Sequence, residues 1–294
     1  MPLLIETPGE DAIGPDELVE TLDTADFDVR DEASFVALGP LLARLGRNRD
    51  FLADLAIAEL KQRCARQNGV NTYGAQVFLL RPANGRYVLR ANFWPARGDA
   101  VLDASGTAPF FYDLPHDHNF PFLTYGYFGP GYWSDYYEHD GEAIGLPGEP
   151  ARLRFTGRKR LEPGMTWLYR AHRDVHVQLP PDSFSVSLNI LGHDPAQPWR
   201  SQYRFDPPSD TIAEGLTVTP SEALVALAVH LGGGNGIDLA ATFAAGHPVP
   251  RMRATAMAAL ASAAPPENRQ TLLERAAADP DPLVAGLARR ALGS

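Results

Sequence analysis

The chain has 294 residues, 45% of them apolar, which suits two domains or one of about 200 residues with an appendage. Its 26 basic and 36 acidic residues leave a net charge of −10, so neither a nucleic acid nor an anionic membrane has general electrostatic support as a partner. A single cysteine, Cys64, excludes an intramolecular disulfide and thiolate zinc clusters; with no basic leader and no apolar run of 18 residues, a cytoplasmic protein is expected.

Residues 1–14 read as a flexible leader. Pro15, Asp16 and Glu17 then open a helical pattern with acidic side chains where the helix dipole favours them. Phe35, Leu38, Leu41, Leu42 and Leu45 keep helical spacing, as do Phe51, Leu52, Leu55, Ala56 and Leu60, so 1–72 forms a helical segment of two or three helices. The period changes after Asn71. Residues 75–81 and 86–93 are β-rich and joined by Pro82-Ala83-Asn84-Gly85, whose Asn-Gly pair supplies the positive φ values of a tight turn. Further strands are expected around 109–114, 116–118, 122–128, 132–139, 151–156, 166–170, 175–179 and 184–191. Short strands at this spacing, punctuated by Gly and Pro and without alternating helices, predict a β-barrel or sandwich over 73–205. Arg152, Arg154, Arg158, Lys159 and Arg160 read as a solvated strand edge and turn.

From about Ser209 the pattern is helical again, giving a C-terminal region over 206–294 with an internal repeat. His247–Leu260 overlays Asp279–Leu292 with a shift of 32 residues, setting Pro248 on Pro280, Pro250 on Pro282, Met252 on Val284 and Leu260 on Leu292. This resembles HEAT-like repeats, and implies a short helical cap that packs on the barrel, on a second copy in a homodimer, or on a protein partner.

Residues 115–140, PHDHNFPFLTYGYFGPGYWSDYYEHD, hold His116 and His118 on one face if extended, with Asp117 on the other. His116-x-His118, three residues, Phe122, six residues and Gly129 match the first motif of the cupin superfamily in spacing, with Phe122 where the family has Glu. The second motif is similar at Pro163-Gly164…His176, although His176 lies twelve residues after the Gly instead of eleven. His172 stands in place of a turn Gly, and Pro180 in place of Asn. Over about 75–195 the chain therefore resembles cupins. That implies a double-stranded β-helix, or jelly roll, mainly β with α at both ends, and a metal held by His116, His118 and His176.

Three imidazoles on one side of an ion leave the opposite coordination positions open to water, substrate or oxygen. Phe122 leaves two readings. In one the site has no carboxylate. In the other Glu138 restores it: a hairpin symmetric about Pro130 sets Glu138 opposite Phe122, facing inward, while a shift of one residue turns His139 inward instead. Tyr136 shares the parity of Glu138 and is a candidate catalytic group with it. Phe122, Tyr125, Tyr127 and Trp167 are candidate substrate-pocket residues, with Asn189 pointing in from the last strand and His172 as a base near the mouth. Fe(II) is the expected ion, and Mn, Ni, Cu or Zn also accept such donors. His118 occupies the acidic position of 2-oxoglutarate oxygenases, which disfavours that class. The expected activity is a metal-dependent oxygenase acting on a small molecule or peptide side chain, with a non-redox isomerase or lyase, or a ligand-sensing module, as the alternatives.

Overall fold

The computed structural model describes residues 1–141 and 143–293. The chain divides into two compact units, Met1–Gly141 with Arg152–Gln197, and Glu142–Ala151 with Pro198–Ser294. In the first, β1 (Leu3–Ile5) precedes five helices: α1 (Pro15–Thr24), α2 (Glu32–Val36), α3 (Gly39–Arg47), α4 (Phe51–Lys61) and α5 (Ala65–Val70). Then come β2 (Val77–Arg81), β3 (Tyr87–Trp94), α6 (Ala100–Ser105), β4 (Phe122–Phe128), β5 (Tyr132–Glu138), β6 (Arg154–Leu161), β7 (Thr166–Tyr169), β8 (Asp174–Gln178) and β9 (Ser185–Gly192).

The strands form two antiparallel sheets, β1-β7-β4-β9-β3-β2 and β6-β5-β8. Alternation along each strand decides what the sheets bury. Val88, Trp94, Phe122, Trp167 and Tyr169 of the larger sheet share one apolar core with Tyr132, Tyr136 and Leu161 of the smaller, so these faces oppose each other. Residues of the other parity, among them Tyr87, Leu89, Leu123, Tyr125 and Leu168, pack with Leu18, Leu22, Leu42 and Leu45 of the helices. This is the mainly β arrangement with α-helices that the cupin resemblance implies.

Three local expectations change. The leader is ordered in part, because Leu3–Ile5 adds an edge strand to β7 and buries Ile5. Residues 109–114 hold a 3₁₀ turn, Ala108–Phe110, and the left-handed backbone at Phe111 (φ 56°) and Asp113 (φ 58°) prevents a strand. The hairpin over 115–140 does not form: β4 and β5 lie in different sheets, and Gly129-Pro130-Gly131 carries the chain from one to the other. Gly131 is required there, since its φ is +77° and a Cβ would stand 1.8 Å from the Leu161 carbonyl oxygen.

The second unit opens with β10 (Tyr203–Asp206) paired with β11 (Thr211–Gly215), so the helical pattern begins later than Ser209. It starts at α7 (Pro220–Leu231), where Thr219 and Glu222 form a capping box. α8 (Gly233–Gly246), α9 (Pro250–Ala263), α10 (Pro266–Ala277) and α11 (Pro282–Leu292) follow. The repeated segments are α9 and α11, each with its proline in the first turn and Met252 and Val284 equally buried. Among the described residues no helix is long and apolar enough to cross a membrane.

Candidate metal centre

β8 pairs with β5 so that His176 opposes Tyr136, and both point between the sheets. His116 lies outside any regular strand but is locked to His176 by a pair of backbone hydrogen bonds, His116 N to His176 O at 3.1 Å and His176 N to His116 O at 3.0 Å. That bridge sets the two imidazoles side by side, and His118, two residues on, completes the group. His176 Nε2 lies 3.1 Å from His118 Nε2 and 3.2 Å from His116 Nε2. Bonds of about 2.0–2.1 Å meeting at 90–109° place donors roughly 2.8–3.4 Å apart, so the spacing suits one divalent ion.

Electrostatics agree with that use. Burial lowers the pKa of His116 despite its hydrogen bond to Leu114 O. Burial, then mutual repulsion among the imidazoles, holds His118 and His176 well below the usual range. The Nδ1–H of His116 donates to Leu114 O at 2.8 Å, which leaves its Nε2 lone pair for the ion. With His118 and His176 in the same tautomer, three lone pairs would face each other at this distance, and a cation would satisfy all of them at once. His116 and His176 are buried, while His118 is half-buried.

Among the described residues this cluster includes no carboxylate. Phe122 meets the His118 ring edge-on at 4.8 Å and stacks on Tyr169 at 4.3 Å. Glu138 shares a face with Tyr136 and His176 but sits one pair farther along, opposite Asp174. There its carboxylate accepts from the Met1 amine and from Arg170, both at 2.7 Å, and pairs with Arg154. Burial raises its pKa, yet hydrogen bonds from the amine and Arg170 outweigh this and bring it down to about 2. A carboxylate with a folded pKa below its unfolded value stabilises the fold above the unfolded pKa, and that contribution is lost as pH falls through the folded one. Glu138→Gln should therefore lower the melting temperature by about 3 °C at pH 7, with the gap closing as pH falls from 4.5 toward 2 in a thermal-melt series. A gap independent of pH would assign the effect to packing.

Tyr136 donates to or accepts from Tyr169 across 2.8 Å, both hydroxyls buried, and the Tyr169 ring lies 4.9 Å from that of His176. Burial pushes Tyr136 up to about 12 and Tyr169 well above its ordinary value, so both are neutral phenols at pH 7. Trp167 stacks on Tyr136, and its buried Nε1 has no hydrogen-bond partner among the described residues. Asn189 is buried on β9 between Thr124 and Arg90.

Tyr125 and Tyr127 are turned away from this space. Tyr125 lies on α3, where a Cβ on Gly46 would stand 2.1 Å from its ring, and the Tyr127 hydroxyl donates to Asn48 O and Arg49 O at 3.0 and 2.8 Å. Their odd parity on β4 sends them to the helices. His172 sits at φ 54° with its Nδ1 3.7 Å from Asp117 Oδ2, and His139 Nε2 is 3.6 Å from the same oxygen. Both rings thus attend Asp117 outside the three-nitrogen cluster. The basic run over 152–160 is offset by acids: Arg158 pairs with Asp135 at 2.6 Å, Arg160 with Asp182 at 3.4 Å and Arg152 with Asp140 at 3.2 Å. Sequence reasoning missed Tyr169 and Arg90. Arg90 carried a signal, a charge in the middle of the β-run 86–93 at the parity of Val88 and Trp94.

No protein-family model and no curated protein sequence matches the chain. Solved structures that match include hydroquinone 1,2-dioxygenase PnpCD in complex with Cd2+ and 4-hydroxybenzonitrile, at 13% identity over 42% of this chain and 68% of that one, with a TM-score of 0.27. The DMSP lyase DddQ from Ruegeria pomeroyi DSS-3 matches at 14% identity over 66% and 79%, TM-score 0.25. Vicilin from Corylus avellana (hazelnut) matches at 11% over 46% and 33%, TM-score 0.23.

Proposed function

We propose that the chain is a metal-dependent cupin enzyme, an oxygenase that holds non-haem Fe(II) on His116, His118 and His176 and works without 2-oxoglutarate on a small molecule or peptide side chain. The observation that carries this reading is the convergence of three neutral Nε2 atoms, 3.1 and 3.2 Å apart, on a face without a carboxylate. An ion bound there would supply Lewis acidity and, for iron, one-electron chemistry at its open positions. The chain's own residues do the rest. His116 is oriented by Leu114 O. Phe122 and Tyr169 close one side against water, and the Tyr136–Tyr169 pair can hold or pass a proton at Tyr169 Oη.

That phenol pair also favours a second reading, a non-redox lyase or isomerase with Mn, Ni or Zn as the Lewis acid, because proton transfer beside His176 serves such chemistry directly. In either reading the C-terminal helices form a HEAT-like scaffold for self-association or a protein partner. Metal analysis of anaerobically purified protein, followed by nitric oxide addition and electron paramagnetic resonance, separates the two. Iron with a nitrosyl signal that disappears in His176→Ala is expected; retained zinc or nickel, with no signal after Fe(II) loading, would overturn the oxygenase reading.

A further inference from the structure

β3 lies inside the six-stranded sheet, between β9 and β2. Tyr87, Leu89 and Ala91 face the helices, while Val88 and Trp94 face the smaller sheet. Arg90 has the parity of Val88. It opposes Asn189 across the ladder, and Asn189 in turn opposes Thr124, so Arg90 points between the sheets with two buried polar neighbours beside it. Its Nε is closed off from solvent and has no hydrogen-bond partner among the described residues. Among the described residues no carboxylate pairs with it, and the ring of Tyr73 lies 5.0 Å from the guanidinium carbon. Thr124 lies two residues from Phe122, whose ring meets His118 edge-on at 4.8 Å, so Arg90 leaves the same sheet face that borders the metal cluster. Burial draws Arg90 down to about 10, which still leaves it cationic at neutral pH.

Arg90 is half-buried, a partly desolvated cation without a counter-charge costs stability, and a guanidinium presents a planar fork matched to a carboxylate. We propose that Arg90 is the anchor for a carboxylate on the substrate, so that this site takes a small carboxylate-bearing molecule and presents its other end to the histidine cluster. The proposal rests on the metal reading above only for what happens at that other end. Trp167 Nε1, Asn92 Oδ1 and Gln178 Oε1 are further buried groups without hydrogen-bond partners among the described residues.

The test is calorimetric titration of the full-length zinc-loaded protein with propionate, propionamide and inorganic phosphate, in wild type, Arg90→Gln and Arg90→Lys. Propionate should bind wild type, lose at least about tenfold in Arg90→Gln and lose less in Arg90→Lys, while propionamide stays silent. Arg90→Gln should also melt about 3 °C higher, because an unpaired charge is gone, with zinc affinity unchanged. No propionate binding to wild type, equal binding to Arg90→Gln, or equal binding of propionamide would each overturn the anchor. Preference for phosphate over propionate would overturn the carboxylate assignment. If zinc fails to bind while the metal-free protein still takes propionate through Arg90, the metal reading falls and the anchor stands.

Discussion

His118→Ala and His176→Ala should each cut zinc or Fe(II) affinity about 100- to 1000-fold, read by competition with a chromogenic chelator. Binding free energies of about 10–16 kcal/mol for four-ligand zinc sites amount to roughly 2.5–4 kcal/mol per ligand, which is about that factor. The sharper readout is the metal-induced shift in melting. A ligand at a thousand times its Kd stabilises a fold by about 4 kcal/mol, so metal at that level should raise the wild-type midpoint and shift both variants by about a third of that or less. His118→Ala is the cleaner variant, since His118 is half-buried and its Nδ1 makes no hydrogen bond, whereas His176 is fully buried and its truncation also opens a cavity. A full metal shift in His118→Ala would remove that residue from the ligand set.

Tyr125→Ala should cost about 3–5 kcal/mol of stability and leave metal affinity untouched. The ring is buried against Gly46, Leu123 and the apolar face of α3, so its removal opens a cavity between sheet and helices. On a unit of this size the melting temperature should fall by roughly 10 °C. Tyr127→Phe is the milder companion, losing the two hydrogen bonds to Asn48 O and Arg49 O for about 1 kcal/mol. Were Tyr125 a substrate contact, its variant would bind ligand differently while folding normally, which a paired melt and metal titration distinguishes.

The sheets were legible because β-branched and aromatic runs at 75–81, 86–93, 122–128 and 184–191 carry their period locally, and the Asn84-Gly85 turn declares itself. Two histidines two residues apart, with a third at a plausible distance in sequence, likewise announced a cluster that the fold assembles. What failed was connectivity. Gly129-Pro130-Gly131 looks the same whether it closes a hairpin or passes between sheets, and only the long-range pairing of β4 with β7 and β9 decides it. From that error followed the reading of Glu138 as a neighbour of Phe122, when its cationic partners are Arg170, Arg154 and the Met1 amine. The assignment of Tyr125 and Tyr127 to the pocket had a different origin. Alternation separates them from Phe122, but which parity faces inward depends on where the N-terminal helices dock.

The backbone bridge between His116 and His176 joins segments 60 residues apart in sequence. An ion held by both side chains therefore acts as a crosslink that closes a long loop, and its occupancy is coupled to the folding of everything inside that loop. A covalent link across such a span is worth up to about 4 kcal/mol in lost chain entropy of the unfolded state. In hydrogen exchange, amide protection of residues 116–118 and of β8 should rise together on metal loading, with β4 and β5, enclosed by the same link, slowing in step.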